Sequence, residues 1–262
     1  MGSALALFNG RIQRTQFTQS VQSLDARIKT IANEVTTGTY PANPSFNCSA
    51  PAGASPSISA AAGEQGTRED CIFLGKIINF TPPTVNCTAP VDGSECAKVE
   101  IYTVVGKRTD AAGNVSASMA TATPRLIINP PTPIDLTDSF TLEYGTHVTG
   151  LVQSNGSTLT SALGLFQGLN SSYNTSGNLN SGAQNVAAWV VKSTAFPAAP
   201  VDAQDIKSTV TTGNVTNFFA LGSQDLHLCL RSGNNQQKAS ITFKGSGNSM
   251  KTAVVLEDPQ CP

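Results

Sequence analysis

The chain carries 16 Lys and Arg against 17 Asp and Glu over 262 residues, a formal net charge of −1 with 13% charged residues. That balance excludes a global field for nucleic acid or an anionic membrane. It leaves solubility to Ser, Thr, Asn, Gln and Gly, a weakly charged surface that suits an extracellular protein. The length suffices for a substantial core, in one large domain or one domain with insertions.

Residues 1–3, Met-Gly-Ser, read as a cloning remnant and are set aside. From Ala4 to Gly38 the spacing predicts one long helix in two phases. Phe17, Val21, Leu24, Ile28, Ile31 and Val35 recur at intervals of 4, 3, 4, 3 and 4 and form one narrow stripe, the expected helix core. Leu5, Phe8 and Ile12 form a separate 3, 4 pattern, and the step of five from Ile12 to Phe17 turns it to roughly the opposite side of the cylinder. One partner cannot cover both stripes. At about 1.5 Å per residue the helix is roughly 50 Å long, more than the diameter of a compact domain of this size, so its first turns are expected to protrude. Gly38 suits the left-handed position after the last turn, and Pro41 prevents continuation. Asp25 and Lys29 offer a favourable pair one turn apart on the outer face.

Ala4 to Phe8 reads as the tail of a longer apolar segment. It is too short for a secretory core, and Arg11 and Arg14 follow it instead of preceding it. No other stretch is long enough to span a bilayer, so the chain as written is expected to be soluble.

The six cysteines, Cys48, Cys71, Cys87, Cys96, Cys229 and Cys261, include no C-x-x-C pair, which argues against zinc. Of the possible pairings the sequential one is favoured, 48 with 71, 87 with 96 and 229 with 261, because each closes a local loop. An oxidising compartment follows.

Residues 39–70, with Pro41, Pro44, Pro51 and Pro56, are expected to form a long connecting loop tethered by the first disulfide. Residues 71–262 read as a β-rich domain with insertions around 154–184 and 194–224. Cys71 to Phe80 is apolar on both alternating faces, as a central strand covered by the helix stripe would be. Lys98 to Val105, Leu126 to Ile128, Phe140 to Tyr144 and Val186 to Val191 supply further strands, and Ser157 to Phe166 a short helix. Residues 170–184 are of low complexity; within 194–224 a helical turn fits Ala203 to Lys207. Leu226, Leu228 and Leu230, then Ala239, Ile241 and Phe243, alternate with polar residues as a hairpin across Ser232 to Gln237, and Thr252 to Glu257 adds a third strand. The expected class is α+β, a long N-terminal helix packed on an antiparallel sheet with loop insertions.

Three stretches, Ala4 to Gly38, Asp70 to Phe80, and Leu226 to Gly233 with the strands after it, resemble the soluble part of the type IV pilin and pseudopilin family, most closely its minor, FimT- or GspH-like prepilins. Together they cover less than half the chain. The family's short basic leader, and its hydrophobic helix beginning with an aromatic residue and bearing an early glutamate, are missing here. The resemblance therefore implies a pilin-like fold whose membrane half was removed, with Ala4 to Ile12 as the remnant. It implies a structural subunit of a bacterial surface filament that supports adhesion, motility or DNA uptake and is anchored in the inner membrane before assembly. Leu5, Phe8 and Ile12 would then pack on neighbouring subunits, and the head-to-tail contact would build an open filament.

The chemistry expected is neither enzymatic nor cofactor-dependent. His147 and His227 sit in no metal-ligand or triad-like local pattern, and no G-x-S-x-G, Walker A, H-E-x-x-H or EF-hand loop is present. Asp135 with Asp138, and Asp202 with Asp205, suit loop-edge or capping roles better than acid and base work. Arg231, Lys238, Lys244 and Lys251 are the candidates for a DNA-binding patch, against the reading that they form a solvated strand face. The rival function is a secreted or surface-anchored binding domain, an adhesin or carbohydrate binder, with its long polar loops as the specificity elements.

Overall fold

A computed structural model describes residues 2–38, 46–50, 56–60, 71–80, 97–109, 112–116, 119–128, 134–153, 162–167, 186–191, 218–220, 225–246 and 249–261. In chain order the elements are α1 (Gly2–Thr37), β1 (Phe46–Ser49), β2 (Ser57–Ala60), β3 (Cys71–Phe80), β4 (Lys98–Lys107), α2 (Met119–Ala122), β5 (Arg125–Leu126), β6 (Asp138–Thr141), β7 (His147–Gln153), β8 (Ala162–Gln167), β9 (Val186–Val191), β10 (Phe218–Ala220), β11 (Leu226–Arg231), β12 (Lys238–Ser246) and β13 (Ser249–Leu256).

The expected architecture, a long helix on an antiparallel sheet, is corrected by this arrangement. Among the described residues strand outweighs helix by about two to one, and the strands fall into three antiparallel sheets. One is the ribbon β1–β2; another has seven strands, in the order β10-β9-β8-β3-β4-β5 with β6 also on β4; the last runs β13-β12-β11-β7. The body is a β structure with α1 laid against two sheets at once, touching β3, β8 and β9 of one and β12 and β13 of the other. Its stripe, Phe17 to Val35, shares one core with Phe73, Ile78 and Phe80 of β3, Leu163 and Leu165 of β8, Leu226, Leu228 and Leu230 of β11, and Ile241 and Phe243 of β12. Each such side chain contributes about 1.5–3 kcal/mol by leaving water. Gly38 ends the helix at φ 66°, its amide donating to the Val35 carbonyl at 3.2 Å, because a left-handed residue there carries no Cβ penalty.

Phe73 and Ile78 are five residues apart and would face opposite ways on an uninterrupted strand. A bulge between Phe73 and Gly75 in the pairing with β4 turns both toward the helix. At Gly75 β3 also comes close to β8: a Cβ there would stand 2.0 Å from the Leu165 carbonyl oxygen.

Three local expectations change. Residues 39–70 are not loop throughout, since Phe46–Ser49 and Ser57–Ala60 pair as a ribbon fastened to β3 by the Cys48–Cys71 disulfide. The helix expected over Ser157 to Phe166 gives way to β8, which pairs with both β3 and β9; its Leu163 and Leu165 face the shared core. Residues 147–153, read as no element, form β7 beside β11. The helical turn at Ala203 to Lys207 and the 170–184 segment lie outside the described residues.

Candidate assembly site

The helix crosses a sharp boundary in burial. Gly10 to Thr15 are all exposed, Ile12 to 43%, whereas Phe17 and Val21 are buried. Among the described residues, the tie between α1 and the body nearest the N-terminus is the Asn234 side-chain amide donating to Gln13 Oε1 at 3.0 Å, from the β11–β12 hairpin. From Gln13 back to Gly2 the helix runs on for roughly 16 Å at 1.5 Å per residue. Leu5, Phe8 and Ile12 share one face of this stalk by their 3, 4 spacing. Of these three side chains only that of Ile12 falls among the described ones. Arg11 and Arg14 are also exposed on it.

Below the boundary, side-chain pairs reinforce the apolar contact. Glu34 of α1 pairs with Lys76, a lysine only 8% exposed in the middle of β3; leaving it buried and unpaired would be costly, so the pair fixes how the helix sits over the strand. Arg27 bonds Asp138 at 3.1 Å and lies over the Phe140 ring at 5.5 Å. Asp25 is not on an outer face as expected. It is buried, takes Lys29 at 2.7 Å, and accepts from the Thr252 hydroxyl of β13 at 2.6 Å.

Two chain reversals form a collar where the stalk leaves the body. Glu143 to Thr146 is a β-turn closed by the Thr146 amide on the Glu143 carbonyl at 3.0 Å. Both central residues, Tyr144 (φ 56°) and Gly145 (φ 68°), are left-handed. Gly145 packs against Gly233 of the hairpin, a Cβ on either standing 3.3 Å from the other's backbone. In that hairpin Asn234 Oδ1 accepts from the Ser232 hydroxyl at 2.6 Å and the Gln236 amide at 3.1 Å.

The terminal sheet does not gather the four cations into one patch. Arg231 pairs in register with Lys238 at one end and Lys244 with Lys251 at the other, six residues or roughly 20 Å apart along β12. Lys238 donates to the Cys261 carbonyl at 2.9 Å, and Lys244 lies 3.4 Å from Asp225.

Between those ends lies a buried polar cluster. His227, Ser240, Thr242 and Asp258 are each at most 9% exposed. Asp258 Oδ2 accepts from the Ser240 hydroxyl and from His227 Nδ1 at 2.9 Å, and Oδ1 from the Gln260 amide at 2.9 Å. An ionised carboxylate only accepts, so the hydrogen sits on Nδ1. Nucleophilic catalysis needs the hydroxyl hydrogen-bonded to the imidazole. Here Ser240 bonds the carboxylate and is fully covered, while the Thr242 hydroxyl lies 3.3 Å from His227 Nδ1, the nitrogen that already carries the hydrogen, so through that nitrogen the imidazole takes a proton from neither hydroxyl. What it does is fasten the C-terminal tail over the outer face of β11 and β12, together with the Cys229–Cys261 disulfide, whose Cα atoms are 5.4 Å apart.

Burial alone would raise the Asp258 carboxyl, but bonds from Ser240, the Gln260 amide and His227 outweigh it and hold its pKa below the ordinary value. The folded state thus binds this proton less readily than the unfolded chain, so the stabilisation is complete above the ordinary carboxylate pKa and disappears as pH falls through the depressed one. Asp258→Ala is expected to cost about 3 kcal/mol at neutral pH. Denaturant unfolding at pH 7 and pH 3 should show the gap between variant and parent closing in acid; a pH-independent gap would contradict the assignment. Burial moves His147 down from its usual value; the Gly145 carbonyl at 3.4 Å opposes the shift and Arg231 adds to it.

Of the carboxylate pairs, Asp135 accepts the Thr137 amide at 2.7 Å, and Asp138 accepts the Ser139 amide at 2.9 Å in addition to Arg27; Asp202 and Asp205 lie outside the described residues. Two disulfides, Cys48–Cys71 and Cys229–Cys261, are formed, while Cys87 and Cys96 lie outside the described residues. Among the described residues no cluster of three or more His, Cys, Asp or Glu is placed to hold a metal, and no helix is long and apolar enough to cross a membrane. Comparison with family models, curated proteins and solved structures finds no match to the chain.

Proposed function

We propose that the chain is a structural subunit, of the minor pilin or pseudopilin kind, in a bacterial type IV pilus-like surface filament, and that it assembles through the first turns of α1. The observation that carries this reading is the helix that leaves its own body: turns exposed from Gly10 to Thr15 continue without a break into turns whose stripe is buried. A solitary domain gains nothing from ordering a free helical extension, because isolated helical turns are marginal in water. A neighbouring subunit supplies the missing burial. Two disulfides suit the oxidising space outside the cytoplasm in which such a filament stands.

Sedimentation velocity of the full chain over a concentration series tests the reading. Reversible association is expected, weakened roughly tenfold or more by Ile12→Asp, which places a charge at the body-side end of the stalk face. A chain that stays monomeric at every attainable concentration, or one whose association ignores Ile12→Asp, would overturn it.

A further inference from the structure

Tyr144 occupies a position that the turn assigns to Gly, Asn or Asp. Its φ is 56°, in the region that a large side chain rarely adopts, and in a turn with both central residues left-handed the favoured residues are Gly, Asn and Asp. The residue is nonetheless 51% exposed, so burial in its own body does not account for it. Backbone outliers held in place by their surroundings gather at functional surfaces, and tyrosine is enriched where protein surfaces meet. Its neighbour Glu143 is exposed as well, and among the described residues it forms no ion pair.

The stalk has the complementary chemistry. Arg11 and Arg14 are the only charged side chains in the first 24 residues. Both are exposed, and neither is in an ion pair among the described residues. The collar is continuous with the root of the stalk through Gly145 on Gly233 and Asn234 on Gln13. Stalk and collar therefore stand at the same end of the molecule, where two copies side by side would bring one's stalk to the other's collar.

We infer that the Glu143–Thr146 turn is the docking surface for the stalk of a second copy, with that copy's Arg11 and Arg14 against the Glu143 carboxylate and the Tyr144 ring. This rests on the assembly reading above and names the face that receives the stalk. Guanidinium groups suit both partners, by ion pairing with the carboxylate and by stacking on the aromatic face. Made in one direction, stalk to collar, the contact is heterologous and can repeat from copy to copy.

Photo-crosslinking of the full chain tests it. Benzoylphenylalanine is placed at position 144 in one preparation and at position 12 in another, each mixed with isotope-labelled wild-type chain so that links between copies are recognised by mass. The expected result is inter-copy links from position 144 to the stalk around residues 8–16, and from position 12 to the collar. Inter-copy links from position 12 that avoid residues 143–146 would leave assembly standing and overturn the docking surface. An absence of inter-copy links from both positions would overturn both. In parallel, Glu143→Arg should weaken association roughly tenfold and Arg11→Glu with Arg14→Glu should restore it. Thermal unfolding of Glu143→Arg should be unchanged, since the side chain is exposed; weakening without restoration would contradict the pairing.

Discussion

Replacing Gly75 with alanine is expected to cost more than about 4 kcal/mol or to leave no folded chain to purify, the largest effect of any single methyl group considered. Gly75 sits at the β3 bulge with φ +154°, opposite Phe166 of β8. An added Cβ would meet the Leu165 carbonyl oxygen at 2.0 Å and Phe166 Cα at 2.8 Å. Both are backbone atoms, so no side chain can swing aside, and the strain of a positive φ for an L-residue comes on top. Relief would require β3 and β8 to separate, which opens the sheet beneath the helix. Gly113 is the control. It too has a positive φ, 81°, but nothing lies within 4 Å of its Cβ position, so alanine there should cost only about 1–2 kcal/mol. Urea unfolding of the two variants decides the matter; a Gly75→Ala midpoint close to the Gly113→Ala midpoint would show that the bulge is not as described.

Leu24→Ala in α1 should lower the unfolding free energy by about 2–5 kcal/mol, and Ile28→Ala by a similar amount. Both side chains are at most 1% exposed within the core shared by the two large sheets. Alanine is the better helix former, so intrinsic helicity works against the loss and the whole cost is in packing. Because both sheets contribute to the core beneath this stripe, neither can move to fill the cavity without breaking contacts with the other. Denaturant unfolding is the measurement, and a cost under about 1 kcal/mol for either variant would mean that the stripe is not clamped.

What the sequence made readable was set by periodicity. The helix stripe kept one phase over five intervals, and the alternating Leu226, Leu228 and Leu230 marked a strand, although its other face, with His227 and Cys229, is buried as well. Gly38 marked the helix end because its position calls for a left-handed residue. The sheet count was not readable, since pairing partners far apart in sequence leave no local trace: nothing in Ala162 to Gln167 says that it joins β3 to β9. That segment was misread because Leu159, Leu163 and Phe166 have helical spacing; the strand instead buries both its faces, a pattern that periodicity alone cannot separate from helix. β7 was missed because Gly150 interrupts His147 to Gln153, and the glycine proves to lie at the register shift against β11. At the candidate site the phase change between Ile12 and Phe17 pointed to the stalk. The collar was hidden, because Tyr144 became conspicuous only with its φ. The Asp258 cluster likewise depends on a tail folding back across β12, which spacing in the sequence does not reveal.

The central claim is that α1 serves two masters, its own body up to Phe17 and something outside beyond it. The most direct test is the urea unfolding free energy of Ile12→Asp measured beside that of Leu24→Ala, at a concentration where the chain is monomeric. An aspartate at position 12 should leave the unfolding free energy within about 0.5 kcal/mol of the parent while Leu24→Ala loses several. A loss at position 12 as large as that at position 24 would show that the first turns are part of the body's own core, and the account would fail.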